Sequence, residues 1–182
     1  MNQYIALLRG INLGKRRIKM DQLCRLFEEL KFGAVKTFIA SGNVIFESKM
    51  KDEMKLATMI EEHLKKSLGY EVDTFVRTRA EMAAVARFPA FPAADVEAPE
   101  NTVNVSFLKA DLSAVQADGL FECATDVDEF RLNGREFYWL CRVRSSDSKV
   151  WTTPGMRALK LPISTMRNLT TVRKIAALYP AL

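Results

Sequence analysis

Apolar residues run unbroken from Tyr4 to Leu8 until Arg9 interrupts them. Such a run predicts a strand buried on both faces, and hence central in its sheet. The period then changes. Leu23, Leu26, Phe27 and Leu30 follow i, i+3, i+4, i+7 and mark one apolar face of a helix, with Gly33 as its stop after Lys31 and Phe32. Residues 35–40 and 44–47 read as two strands joined at Ser41-Gly42-Asn43, where Gly42 can take the positive φ of a tight turn. A second helix follows over residues 52–68, on Met54, Leu56, Met59, Ile60, Leu64 and Leu68, and Gly69 ends it. Glu71 to Arg77 largely alternates with period two, as a half-exposed strand does.

The order βαββαβ predicts an α+β chain whose first half is ferredoxin-like. Ala80 to Arg87 is an alanine-rich helical piece, and Phe88-Pro89-Ala90-Phe91-Pro92 opens a proline-punctuated connector that runs to Pro99. The second half begins in the same way. It has a strand at 102–108, a short helix at 112–120, and strands at 126–132 and 136–142 joined by Asn133-Gly134, a strong hairpin signal. A short helical piece near Met156 to Lys160 and a closing helix from Thr165 to Tyr179 complete it. The expected fold is therefore a ferredoxin-like half over 1–87, a connector over 88–101, and a degenerate βαββ-α half over 102–182 whose last strand is missing or replaced.

Composition narrows the chemistry. A chain of 182 residues, 48% of them hydrophobic, can fill a sizeable core. The opening apolar run is too short for a signal-peptide core or a membrane span, so no membrane partner is expected. Cys24, Cys123 and Cys141 cannot all pair within one chain and lack C-x-x-C spacing, which points to the cytoplasm and away from structural zinc. The single histidine, His63, sits among charges on a helix surface without the partners that a triad or a metal site needs. No metal or cofactor is expected, and no catalytic residue can be assigned.

The net charge of +5 is unevenly spread. Residues 1–50 carry nine Lys and Arg against four acids, residues 51–150 carry thirteen against eighteen, and residues 151–182 carry five against none. Positive charge thus gathers at the two ends of the chain. At the first end, Gly10-Ile11-Asn12-Leu13-Gly14-Lys15-Arg16-Arg17 is a glycine-bearing loop whose backbone N–H groups could face an anion. It is not a P-loop, because the glycines stand one residue too close and Arg16 follows Lys15 where Ser or Thr is required. In a βαββαβ sheet this loop lies at the same end as the Ser41-Gly42-Asn43 turn. At the second end, Arg167, Thr171 and Lys174 follow i, i+4, i+7 on the expected closing helix, and Asn168 stands in its first turn, where free N–H groups favour an anion.

Several of these stretches together resemble one family. Leu7-Leu8-Arg9-Gly10-Ile11-Asn12-x-Gly14, Ile18-Lys19-Met20, Thr37-Phe38-Ile39-x-Ser41-Gly42-Asn43-Val44-x-Phe46 and Thr165-x-Arg167-Asn168-x-x-Thr171-Val172 are similar to the motifs of the bacterial domain of unknown function 1697 family. The family usually has N-x-G-G in the first loop, so Lys15 stands where its second glycine would be, and Leu169 stands where it usually has an aromatic. The family has no established activity, so the resemblance implies a motif map without a reaction. The motif positions coincide with the loop, the hairpin and the closing helix. The expectation is an anionic, phosphorylated small molecule held by Arg9, Gly10, Asn12, Gly14, Lys15, Ser41, Asn43, Arg167, Asn168 and Thr171. The alternative is contact with nucleic acid without sequence specificity, through Lys15, Arg16 and Arg17. The aromatic RNP1 pattern of RNA-recognition modules is missing from Gly42 to Phe46.

Overall fold

The central strand expected at the start of the chain is β1 (Asn2–Leu8), in which Tyr4 to Leu8 are all buried. The structure, a computed structural model, describes residues 1–39 and 42–179. Following β1 come α1 (Met20–Glu29), β2 (Gly33–Phe38), β3 (Asn43–Ser48), α2 (Glu53–Leu68) and β4 (Thr74–Thr78). The strands form an antiparallel sheet in the order β2-β3-β1-β4, in which Ile5 stands opposite Ile45 on one side and Arg77 on the other. Tyr4, Ala6, Leu8, Val44 and Phe46 face the helices and pack with Leu23 and Phe27 of α1 and Leu56, Ile60 and Leu64 of α2. Phe46 is the hub of this core, with its ring centroid 4.5 Å from Phe32, 5.6 Å from Phe27 and 5.7 Å from Tyr4. Local chemistry sets the ends of α2. Asp52 accepts the Lys55 N–H at 3.0 Å, and Gly69 closes the helix in the left-handed region at φ 79°.

The alternation read over Glu71 to Arg77 does not describe β4, where Thr74, Phe75, Val76 and Arg77 are all buried. The polar positions of that pattern, the exposed Glu71 and the half-buried Asp73, precede the strand and left only a short alternating stretch for the sequence to display. Thr78 and Glu81 then cap the helix α3 (Arg79–Arg87) reciprocally. The Thr78 N–H and hydroxyl donate to Glu81 Oε2 at 2.8 Å, and the Glu81 N–H donates to Thr78 Oγ1 at 3.2 Å.

Contacts divide the chain into two units, residues 1–84 joined by the chain from Ile175 onward, and residues 85–174. In the second unit the connector carries a short helix, α4 (Ala93–Glu97), ahead of β5 (Thr102–Phe107), α5 (Ala114–Glu122), β6 (Asp128–Asn133) and β7 (Glu136–Cys141). A 3-10 turn (Val150–Thr152) and α6 (Pro154–Ala158) lead to β8 (Thr165–Asn168) and α7 (Leu169–Leu178). The sheet order is β6-β7-β5-β8, again antiparallel, with β5 in the place of β1 and β8 in the place of β4.

This corrects the expectation that the last strand is missing or replaced and that the closing helix starts near Thr165. Thr165 to Asn168 pair with Phe107 to Asn104, and the helix begins only at Leu169. The reason is physical. The buried Thr165 and Arg167 alternate with less buried neighbours over four residues, too few to outweigh the strong 3.6-residue period just downstream.

The core of the second unit contains Leu120, Phe130, Phe137 and Trp139, with Trp151 set edge-on to Trp139 at 5.2 Å. At the sheet's edge Glu129 accepts from Arg142 at 2.8 Å and also contacts Arg131, and Arg142 reaches Asp95 at 3.4 Å. The hydrogen bond from Arg142 holds the Glu129 carboxyl below its ordinary value. A carboxyl whose folded pKa is lowered contributes stability above its unfolded value of about 4.3, and that stability is lost as pH falls through the folded value. Glu129→Gln is therefore expected to lower the urea midpoint at pH 7 and to flatten its fall below about pH 4.3. An acid limb identical to that of the unsubstituted chain would refute this.

Candidate functional site

The first loop is delivered by β1 and held against the hairpin by backbone. The Leu8 N–H donates to the Gly42 carbonyl at 2.8 Å, and the Arg9 N–H to the Asp73 carbonyl at 2.9 Å. Gly42 has φ 77°, and a Cβ there would stand 2.8 Å from Ile11 Cγ2 and 3.1 Å from Leu8 Cβ. Loop and hairpin thus meet at the same end of the sheet, as the strand order requires. Ser41 lies outside the described residues.

Inside the loop the amide groups are committed to structure. Asn12 Oδ1 accepts the Ile18 N–H at 2.8 Å, and the Asn12 carbonyl accepts from Arg17 Nη1 at 3.1 Å. Asn43 is fully buried, and its Nδ2 donates to the Phe38 carbonyl at 3.0 Å. These two asparagines, expected among the ligand contacts, hydrogen-bond within the turns they belong to. Gly10 and Gly14, at φ 68° and 63°, supply the left-handed backbone that the loop needs, and nothing lies within 4 Å of a Cβ at either position.

The cations are held from behind. The Arg16 guanidinium sits 4.3 Å from the centroid of the Tyr70 ring, whose hydroxyl donates to the Ile11 carbonyl at 3.2 Å. Arg17 donates to the carbonyls of Asn12 and Arg16, so its position is fixed by loop backbone. Arg9 lies 3.6 Å from the Asp73 carboxylate, with its own side chain 55% exposed. Arg9, Lys15, Arg16 and Arg17 are all exposed. No local pattern marks Tyr70 or Asp73 as neighbours of this loop, since they arrive from the far end of α2. Geometrically the loop offers four exposed cations, two of them restrained by contacts with Tyr70 or with loop carbonyls.

Arg167, Asn168 and Thr171 belong to the second unit. Arg167 is on β8, not on a helix face. It is 9% exposed, and its Nη1 donates to Thr165 Oγ1 at 2.8 Å and to the Met166 carbonyl at 2.9 Å. Burial pushes its pKa down to about 10, which still leaves it cationic at neutral pH. Asn168 is exposed and caps α7, its Oδ1 accepting the Thr170 N–H at 2.8 Å. Thr171 is half-buried in the first turn of that helix.

His63 Nε2 lies 2.9 Å from Glu29 Oε2, a tie between α2 and α1. Cys24, Cys123 and Cys141 are free thiols, and burial raises the pKa of Cys123 and Cys141, which keeps both sulfurs protonated at neutral pH. Among the described residues no group of three His, Cys, Asp or Glu side chains could hold a metal ion. No described helix is long and apolar enough to cross a membrane.

Comparison with known proteins agrees with the fold. The chain is similar to the solved structure of a conserved bacterial protein, SP0830, from Streptococcus pneumoniae. The TM-score is 0.75 at 21% sequence identity, over 100% of this chain and 99% of that one. No curated protein matches the sequence. The family described as a protein of unknown function, DUF1697, matches over residues 1–138, a span that contains the first loop and the hairpin together with the whole first sheet. The chain belongs to the DUF1697 family.

Proposed function

We propose that this chain binds an anionic, phosphate-bearing small molecule on the loop and hairpin surface of its first unit. The observation that carries the reading is the restrained pair Arg16 and Arg17, one set over the Tyr70 ring and the other tied to loop carbonyls, beside Lys15 and Arg9, all four exposed. Guanidinium groups fixed in place before binding lose little conformational entropy when an anion arrives, and their charge-assisted hydrogen bonds suit phosphate oxygens. Asn12, Asn43, Gly10 and Gly14 hold that surface in shape. The same reading takes each sheet with its helices as a ferredoxin-like half and places the protein, with its free thiols, in the cytoplasm.

Thermal unfolding with inorganic phosphate, a nucleoside monophosphate and a hexose phosphate tests it. A ligand at 100 times its Kd stabilises the folded chain by about 2.7 kcal/mol, which corresponds to roughly 5–10 °C for a chain of this size. The Arg16→Gln, Arg17→Gln double variant is expected to abolish the shift while melting normally in the absence of ligand. No shift with any of the three compounds would overturn the reading. Retention of a single-stranded oligonucleotide that falls steeply with salt, without any small-molecule shift, would favour nucleic-acid contact instead.

A further inference from the structure

The second unit contains a cavity of about 230 Å³ that the loop and hairpin reading does not use. Its apolar surface comes from Phe88, Pro89, Phe91, Val96, Val103 and Leu169. Phe91, Val103 and Leu169 are buried and form the floor, whereas Phe88 is half-buried with its ring 5.1 Å from that of Tyr138. Proline at positions 89 and 92 fixes the backbone on either side of Phe91, which limits how far the connector can collapse to fill the space. The rim carries Arg87 and Arg173, both exposed and neither in an ion pair among the described residues, and a single carboxylate, Glu97.

A second, polar recess of about 70 Å³ adjoins the first and shares Val96, Val103, Leu169 and Arg173 with it. Its own walls are Asn101, Thr102, Asn168 and Thr170. Asn168 Oδ1 is occupied by the Thr170 N–H, so its Nδ2 is the donor left for a ligand, and Asn101 Nδ2 is spent on the Asp95 carbonyl at 2.8 Å. Arg173 therefore stands where an apolar trough meets a polar end.

We propose that this double cavity is a binding site for a small aromatic monocarboxylate. The ring lies in the trough against Phe88 and Phe91, where offset or edge contacts between aromatic rings are favourable. The carboxylate pairs with Arg173, whose planar fork matches two carboxylate oxygens, and takes a further hydrogen bond from Asn168. Charge selects the class. Two guanidinium groups against one carboxylate leave one net positive charge on the rim, which balances one negative charge, whereas the second charge of a dianionic phosphate would be left uncompensated. Size selects it too, because the larger cavity is below the roughly 300–1,000 Å³ of sites for drug-sized ligands.

Calorimetric titration of the full chain with indole-3-acetate is the test, with indole-3-acetamide, acetate and inorganic phosphate as comparison probes. Indole-3-acetate is expected to bind with Kd below about 1 mM. The neutral amide should bind at least about tenfold more weakly, and Arg173→Gln should weaken indole-3-acetate by a similar factor. Ala93→Trp, which fills the trough from the exposed side of α4, should abolish binding with Arg173 intact. Arg16→Gln should leave binding unchanged, which separates this site from the one on the first loop. Absence of binding to the unsubstituted chain overturns the proposal. Equal affinity for acid and amide, equal affinity of the Arg173→Gln chain, tighter binding of phosphate than of indole-3-acetate by the Arg16→Gln, Arg17→Gln chain, or loss in Arg16→Gln would each overturn it as well.

Discussion

Asp128→Ala is expected to destabilise the second unit by about 3–5 kcal/mol. Asp128 is 2% exposed at the start of β6 and anchors three side chains at 2.8 Å. Its Oδ1 accepts from the Trp139 indole N–H and from the Ser148 hydroxyl, and its Oδ2 from Thr125 Oγ1. Alanine would leave the indole N–H without an acceptor inside an aromatic core and would release the 148–153 segment that carries Trp151. Asp128→Asn keeps one carbonyl oxygen and should cost less than half as much, because Oδ1 alone serves two of the three donors. Both tryptophans, Trp139 and Trp151, lie in this unit, so their fluorescence during urea unfolding reports on it directly. A midpoint for Asp128→Ala within error of the parent would contradict this account of the core.

Gly42→Ala is the counterpart in the first unit, with an expected cost of about 2–3 kcal/mol. Two penalties add. The residue must stay in the left-handed region at φ 77°, and the new methyl would overlap Ile11 Cγ2 at 2.8 Å and press on Leu8 Cβ at 3.1 Å. Gly14→Ala separates them, since its φ is 63° with nothing within 4 Å, and only the backbone term of about 1 kcal/mol should remain. Far-ultraviolet circular dichroism during thermal unfolding ranks the two variants, and amide exchange at Leu8 shows whether its hydrogen bond to Gly42 loosens. If the loop and hairpin act as one surface, Gly42→Ala should also weaken phosphate binding at temperatures where the chain is folded. Equal costs for the two glycines would mean that the hairpin does not pack on Ile11.

Strong local periods carried most of the architecture. The unbroken run Tyr4 to Leu8 became a central strand, the stripe through Leu56, Ile60 and Leu64 became the buried face of α2, and Asn133-Gly134 became a hairpin with Gly134 at φ 57°. In each case the signal lies within a few residues, where backbone sterics and one buried face decide the outcome before any long-range contact forms. The nearness of the first loop to the hairpin was also legible, because strand order follows from βαββαβ connectivity.

Tertiary structure decided what local pattern could not express. β8 is a strand because Phe107 to Asn104 offer it a ladder, and four residues hold too little periodicity to announce that. Asn12, Asn43 and Arg167 are polar by sequence and look available to a ligand, yet their hydrogen bonds go to Ile18, Phe38 and Thr165, since buried polar groups must find partners wherever the fold places them. Arg16 is held over Tyr70, 54 positions away, and Phe88 and Phe91 line one cavity with Leu169 and Arg173 only because β5 lies beside β8. By itself the sequence determined most of the elements, the order of the first sheet and the basic character of the first loop. Which polar groups stay exposed was decided by folding, because donors and acceptors are apportioned by contacts between residues far apart in the chain.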